Sequence, residues 1–267
     1  MNNKKEDRDY IPPKTMLVPC RQLRTGIAFE WLKAGWADFK NAGKISLIYG
    51  FFVFLISIFV AWLAWKLGGF ALLLSALSGF VFVAPLLAFG LYSVSRQLCQ
   101  GKTPDLASTL RAIKRPLSNS MVFTLVLLVV FLLWARAGMM VQVFFPMGGD
   151  PQWGHIVTFL LIGSAVGSIF AAISFAASVF SLPMLANRDI DVITAVISSI
   201  NGAMRNKPAM LVWAFLICSL TLVGFLTAGV GLIIIIPWLA YATWHGYRAA
   251  LDVSEWSKLP RENTEQA

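Results

Sequence analysis

The sequence predicts an all-α, polytopic membrane protein with six transmembrane helices, arranged as three repeats of an interfacial helix followed by a transmembrane hairpin. Composition is the first indication. Of the 267 residues, 58% are hydrophobic and 13% are charged, with a mean hydropathy of +0.71, whereas about 25% of the residues in soluble domains are charged. The other two indications are long uncharged runs along the chain and a one-sided distribution of Lys and Arg.

The uncharged runs are long enough to cross a bilayer. A helix rises about 1.5 Å per residue and needs about 20 apolar residues to cross a hydrocarbon layer of about 30 Å. The runs predict a membrane domain over residues 25–250, with spans at about 45–65, 69–94, 117–137, 156–184, 208–227 and 229–248. Residues 1–24 are predicted to be a disordered cytoplasmic N terminus, and residues 251–267 a cytoplasmic tail.

The positions of Lys and Arg predict the orientation. With these spans, 20 of the 22 Lys and Arg residues fall on one side, and only Lys66 and Arg136 fall on the other. Cytoplasmic loops are enriched in Lys and Arg, so both termini are predicted to lie in the cytoplasm, with the protein in the inner membrane of a bacterial-type cell. Topology thus accounts for the net charge of +9 without nucleic-acid binding. The basic side is expected to attract anionic membrane lipids.

Each segment that leads into an odd-numbered span has apolar residues at helical spacing, which predicts an amphipathic helix on the inner leaflet. These residues are Phe29, Leu32, Trp36 and Phe39 in the first segment, Leu106, Leu110 and Ile113 in the second, and Ile193, Val196, Ile197 and Ile200 in the third.

Each even-numbered span carries the sequence Pro-x-Leu-Ala, beginning at Pro85, Pro183 and Pro237. Proline removes a helical hydrogen bond and kinks the helix, and neighbouring groups must satisfy the freed carbonyl. The preferred interpretation is that the kinks shape the packing of the bundle. The alternative is that they frame a cavity or a hinge, which makes the three prolines the candidate site residues.

The fourth span carries a stripe of small residues, formed by Gly163, Gly167 and Ala171 with Ser164, Ser168 and Ala172 one position on. Small residues let helix backbones approach closely. Packing inside the bundle is the preferred interpretation, and a homo-oligomer through this face is the alternative.

The sequence shows no set of residues for catalysis, for a metal or for a cofactor. No Asp or Glu interrupts a predicted span, which disfavours transport coupled to buried carboxylates. His155 and His245 are expected at opposite faces of the membrane, so they cannot share a metal, and His245 is interpreted as an interfacial anchor. The polar run from Asn187 to Asp191 is interpreted as a solvated helix start.

Four segments resemble a known family: 35–39 (GWADF), 46–50 (SLIYG), 84–96 (APLLAFGLYSVSR) and 187–191 (NRDID). The family is that of bacterial integral membrane proteins called domain of unknown function 2189, and the resemblance covers about residues 25–250. It implies a six-span inner-membrane fold and no activity.

The function predicted from the sequence is that of a non-catalytic protein that organises the membrane or binds a partner. The alternative is a permease or channel for a small neutral or lipidic solute. An intramembrane enzyme is the least favoured class, because no nucleophile, base or metal set is visible.

Overall fold

The computed structural model of the protein describes residues 17–105, 117–144 and 153–257. Within these ranges the chain is helical apart from short connections and one isolated antiparallel bridge between Cys20 and Leu251. The helices are α1 (Ile27–Ala42), α2 (Lys44–Leu87), α3 (Phe89–Cys99), α4 (Leu117–Phe144), α5 (Trp153–Ser178), α6 (Ser181–Leu185), α7 (Val192–Arg205), α8 (Lys207–Leu226) and α9 (Leu232–Ala250).

Helix α2 is a hairpin of two helices. Its backbone leaves helical geometry at Gly68 and at Gly69, where φ is 60°, a value that glycine adopts without steric cost. The hydroxyl of Tyr49 donates a hydrogen bond to the carbonyl of Leu87 at 2.6 Å, although a straight helix would place two such residues roughly 57 Å apart. The chain therefore reverses at the two glycines, as the sequence predicted.

Three helices of the described residues are long and apolar enough to cross a membrane: Lys44–Gly69, Leu161–Leu185 and Lys207–Leu226. They correspond to the first, fourth and fifth predicted spans. A shorter apolar helix, Leu125–Ala137, lies within the third predicted span. The second and sixth predicted spans fall on residues 70–99 and on α9, which are helical. The structure thus confirms an all-helical fold with several apolar helices, while the count of six spans stays a prediction.

Helix α9 lies at the centre of the bundle. It packs against α1, α2, α3, α6 and α8, and most of its residues are buried. Its first half lies along α2, where Ile233 is next to Gly50, and its second half lies along α1, where Gly246 is next to Trp31. The small residues Gly35 and Ala242 allow α1 and α9 to approach closely.

Helices α4 and α5, and helices α8 and α9, also form neighbouring pairs. Helix α4 packs against α5, with Trp134 of α4 next to Gly167 of α5. Helices α8 and α9 are joined by residues 227–231, where Ala228 and Gly229 have positive φ. Residues 106–116, with the second predicted amphipathic helix, and the predicted turn at 146–151 lie outside the described residues.

Helices α1 and α7 each expose several large apolar residues. On α1 the buried positions are Ala28, Trp31, Gly35, Asp38 and Ala42, whereas Phe29 and Trp36 of the predicted apolar face are exposed. On α7 the exposed residues are Ile193, Ile197, Ile200 and Met204. The predicted apolar faces are therefore only partly exposed, because Leu32 and Phe39 of α1 and Val196 of α7 pack against the core.

Candidate functional site

The three candidate prolines lie in three different helices. Pro183 is in α6 and Pro237 is in α9, and both are buried. Pro85 lies near the end of α2, just before α3 begins. The segments that contain or follow these prolines, namely α3, α6 and α9, pack against one another. The structure thus brings together the segments around the prolines, while a cavity between them stays a prediction.

Pro237 and Gly50 form a matched pair across α9 and α2. Pro237 has no N–H, so the carbonyl of Ile233, four residues earlier, loses its usual helical donor. That carbonyl oxygen faces Gly50, where even a methyl side chain would overlap it. The absence of a side chain lets α2 cover the freed carbonyl closely, in a geometry that suits a weak Cα–H···O contact.

Helices α1, α3 and α9 meet at a buried carboxylate. Oδ2 of Asp38, on α1, accepts a hydrogen bond from Oγ of Ser95, on α3, at 2.7 Å. The same oxygen lies 3.0 Å from Nε2 of His245, on α9. Asp38 is only 9% exposed. Ser95 is the donor in the first contact, and Nε2 of His245 lies within hydrogen-bonding distance of the same oxygen.

Two further hydrogen bonds tie α3 and α9 to the end of α6. Nη1 of Arg96 donates to the carbonyl of Ala186 at 2.9 Å, and Nδ2 of Asn187 donates to Oη of Tyr247 at 2.9 Å. They join α3 to the end of α6, and the end of α6 to α9. We call the six side chains Asp38, Ser95, Arg96, Asn187, His245 and Tyr247 the polar cluster.

The polar cluster differs from the arrangement that activates a nucleophile. In a serine nucleophile, the hydroxyl is hydrogen-bonded to the base that removes its proton. Here Ser95 donates to Asp38, and His245 contacts the same oxygen rather than the serine. Because side chains of α1, α3 and α9 meet at one oxygen atom, the cluster is well suited to holding three helices together.

The two ends of the described chain meet beside this cluster. The backbone N–H of Arg21 donates to Ala250, and that of Asp252 donates to Pro19, at 2.8 Å and 2.9 Å. Arg21 also forms an ion pair with Asp252 at 2.9 Å, and its hydrogen bond lowers the pKa of that carboxyl to about 2. Residues 17–24, assigned from the sequence to the disordered N terminus, are thus held against the bundle.

The side chain of Asn206, between α7 and α8, forms hydrogen bonds with the N-terminal segment. Its Oδ1 accepts from the N–H of Leu23 at 2.8 Å, and its Nδ2 donates to the carbonyl of Arg21 at 3.1 Å. Nδ2 also lies 3.3 Å from Sγ of Cys20. Burial raises the pKa of the Cys20 thiol, an effect that the Asn206 hydrogen bond partly opposes.

The polar run before α7 serves two purposes. Asp191 is the N-cap of α7, because its Oδ1 accepts from the N–H of Thr194 at 2.8 Å. Partial burial raises the pKa of Asp191, but the hydrogen bonds from Thr194 outweigh it and the net pKa is lowered. This part of the run is a helix start, as predicted. Asn187 belongs instead to the polar cluster.

Metal ligands do not converge among the described residues, which contain no group of three or more His, Cys, Asp or Glu placed to hold an ion. His245 contacts Asp38. The side chain of His155 lies outside the described part of the structure. Cys20, Cys99 and Cys218 are free thiols.

Sequence reasoning missed the role of Asp38 and His245. Asp38 looked like part of the polar face of an amphipathic helix, and His245 like an interfacial anchor. The available signal was the resemblance, because its four segments contain Asp38, Tyr49, Ser95 and Asn187, which all form hydrogen bonds within the bundle. Nothing in the sequence showed that these segments meet.

Comparison with known proteins supports the resemblance. The model of the family domain of unknown function 2189, described as a predicted integral membrane protein, matches residues 72–187. This match confirms the resemblance over the matched residues, which contain the segment 84–96, whereas the segments 35–39 and 46–50 lie outside them. No curated protein and no solved structure matches the chain. With the apolar helices of the structure, the family match shows an integral membrane protein with several apolar helices.

Proposed function

We propose that this protein organises the membrane or binds a partner in the bacterial inner membrane, without catalysing a reaction. The observation that carries the proposal is the polar cluster. Its side chains bond to one another or to backbone carbonyls, and they link α1, α3, α6 and α9. Polar groups used in this way fix the shape of a scaffold and leave its surface to make the external contacts.

The charge distribution supports an orientation with this end in the cytoplasm. Arg21, Arg24, Lys33 and Lys40 all lie near the segments that meet beside the polar cluster. Basic residues beside membrane helices favour the cytoplasmic side and attract anionic lipids. Membrane lipids are therefore the first proposed partner, and nucleic acid is not proposed.

A second copy of the chain is a further proposed partner, through the small-residue stripe of α5. Ser164, Ser168 and Ala172 are exposed, and a methyl group added at Gly163 would meet no atom within 4 Å. Gly167, in contrast, faces Trp134 within the chain. One part of the stripe thus packs inside the bundle. The other part faces outwards, where a second copy could bind.

Purification from native membranes, with identification of co-purified lipids and proteins, tests the proposal. We expect a reproducible lipid enrichment or a protein partner that survives mild detergent. A variant with a broken cluster, Asp38→Asn, is expected to lose that association in proportion to its loss of structure. Recovery of neither a lipid nor a protein partner with the intact wild type would overturn the proposal.

A permease or channel for a small neutral or lipidic solute is the second candidate. One observation favours it, since the segments around Pro85, Pro183 and Pro237 converge around α9, which is where a kinked pathway would lie. Uptake of neutral solutes by proteoliposomes tests it. Uptake that depends on the protein and is changed by Pro237→Ala would favour transport over the scaffold.

A further inference from the structure

Helix α7 has its polarity reversed relative to a helix on the surface of a soluble protein. Its exposed stripe consists of Ile193, Ile197, Ile200 and Met204, and Ile193 is 70% exposed. Its hydroxyl residues Thr194, Ser198 and Ser199 are buried. A water-exposed amphipathic helix would place these groups the other way round. The medium that meets this stripe is therefore apolar.

The buried hydroxyls fix the rotation of α7 about its axis. Oγ of Ser198 accepts from the N–H of Val18 at 3.0 Å. Oγ of Ser199 accepts from the N–H of Phe180 at 3.1 Å and donates to the carbonyl of Ala176 at 2.7 Å. Turning the isoleucines inwards would break these bonds and leave buried polar groups unpaired. The stripe must therefore find its apolar partner outside the chain.

The position of α7 identifies that partner as lipid. A single residue, Asn206, separates α7 from α8, which is a candidate membrane span with Leu211 and Phe215 about 70% exposed. The end of α7 consequently lies at the membrane surface. An in-plane helix there buries its apolar stripe at the boundary between head groups and acyl chains.

The joint between the two helices also carries positive charge. Arg205 and Lys207 are exposed on either side of Asn206, and neither pairs with a carboxylate of the described residues. Each basic residue near a membrane surface contributes about 1 kcal/mol to the attraction of anionic lipid. The apolar stripe suits the acyl chains of an anionic phospholipid, and the two charges suit its phosphate.

We propose that the α7–α8 joint binds an anionic phospholipid of the adjacent leaflet. Its acyl chains lie against Ile193, Ile197, Ile200 and Met204, and its phosphate lies between Arg205 and Lys207. The inference rests on the proposed function, since it names a lipid class among the partners. The lipid site can nevertheless be disproved without disproving the proposed function, because the scaffold could still bind a protein partner.

Quenching of a fluorophore by brominated lipids tests the site in the full-length chain. Cys20, Cys99 and Cys218 are replaced by Ser, and a fluorophore is attached through Ile197→Cys. The protein is placed in nanodiscs of equal parts phosphatidylcholine and phosphatidylglycerol, with bromine on the chains of one lipid at a time. Phe215→Cys marks the bilayer, Ser254→Cys marks water, and Met204→Cys provides a second position on the stripe.

We expect brominated phosphatidylglycerol to quench the fluorophore at Ile197 more than brominated phosphatidylcholine does. Removing both charges, with Arg205→Gln and Lys207→Gln, is expected to reduce this preference by about fivefold per charge. Lys66→Gln, which removes an exposed charge at the far end of the first hairpin, is the matched control and should leave the preference unchanged.

Three results would overturn the inference. If aqueous iodide quenches the fluorophore at position 197 as strongly as one at position 254, the stripe lies in water. Protection from both iodide and brominated lipid would show that protein covers it, such as a second copy of the chain. Equal quenching by both lipids, unaffected by the loss of Arg205 and Lys207, would show ordinary bilayer contact without an anionic site. Native-membrane purification would then decide separately whether the scaffold function stands.

Discussion

Asp38 and His245 are 207 positions apart, yet Oδ2 of the carboxylate lies 3.0 Å from Nε2 of the imidazole. This contact joins α1 to the second half of α9, the most central helix of the bundle. Since Ser95 of α3 donates to the same oxygen, one nearly buried carboxylate connects three helices. The scaffold account therefore depends most directly on Asp38.

Asp38→Asn should destabilise the protein. The amide keeps the shape of the carboxylate but replaces one of its two acceptor oxygens with an NH2 donor. A buried donor left without an acceptor costs about 1–3 kcal/mol. Unfolding in detergent, followed by tryptophan fluorescence against increasing denaturant, measures the loss of free energy. Ser95→Ala, which removes only one donor, should cost less, at about 1 kcal/mol.

Asp252→Asn is the control for that experiment. Asp252 forms an ion pair with Arg21, but both side chains are largely exposed, and such pairs contribute little. Because Arg21 lowers the pKa of Asp252 to about 2, any contribution is present at neutral pH and is lost as the pH falls through 2. Equal destabilisation by Asp38→Asn and Asp252→Asn at pH 7 would contradict the importance given to the cluster.

The sequence predicts the positions of the helices better than it predicts the contacts between them. Uncharged runs and glycine punctuation locate the hairpins, because the hydrophobic length of a span and the turn at Gly69 are local properties. The contact between Asp38 and His245 is not local. Helical spacing placed Asp38 on a polar face, and only the close approach of α1 to α9 at Gly35 buries it.

Gly50→Ala should separate α2 from α9. The added methyl would overlap the carbonyl of Ile233, a backbone atom that cannot rotate away. Overpacking of this kind costs about 1–3 kcal/mol. Gly163→Ala is the matched control, because nothing lies within 4 Å of its added methyl and alanine favours helix. Denaturant midpoints of the two variants in the same detergent measure the difference, and similar losses would contradict the close packing at Gly50.

Gly163→Ala also tests the small-residue stripe of α5. A homo-oligomer that uses this face should dissociate to monomer, although the stability of each chain is unchanged. Native mass spectrometry from nanodiscs reports the oligomeric state directly. If the wild-type protein is monomeric in native lipids, the stripe is not a homo-oligomer interface.

Cys20 should react slowly with a maleimide at pH 7.5, and its rate should keep rising to higher pH than that of an exposed thiol. Burial raises the pKa of Cys20, so less of the reactive thiolate is present at a given pH. A variant with Cys99→Ser and Cys218→Ser isolates the reaction. Adding Asn206→Ala removes a hydrogen bond that lowers the thiol pKa, but it also releases the N-terminal segment. We expect the greater exposure of the thiol to outweigh the higher pKa and to speed the reaction. A reaction rate that does not change with Asn206→Ala would show that the hydrogen bonds of Asn206 do not hold this segment in place.

The predicted orientation can be tested with single cysteines at Lys66 and Lys207. Each is exposed, and the two positions lie on opposite sides of the membrane in the predicted topology. A membrane-impermeant thiol reagent added to intact cells should label Lys66→Cys and spare Lys207→Cys, and inverted vesicles should give the reverse pattern. Labelling of both positions from the same side would rule out the predicted spans between them.

The central claim is that the protein is a closed scaffold and not a pathway for solutes. An experimental structure in nanodiscs that retain native lipids tests it most directly, through the space between α3, α6 and α9 around Pro85, Pro183 and Pro237. The account predicts a dry, packed interior with Asp38 still bonded to Ser95 and His245, and with lipid on the outer stripe of α7. A continuous hydrated or lipid-filled cavity among the prolines would contradict it and favour transport.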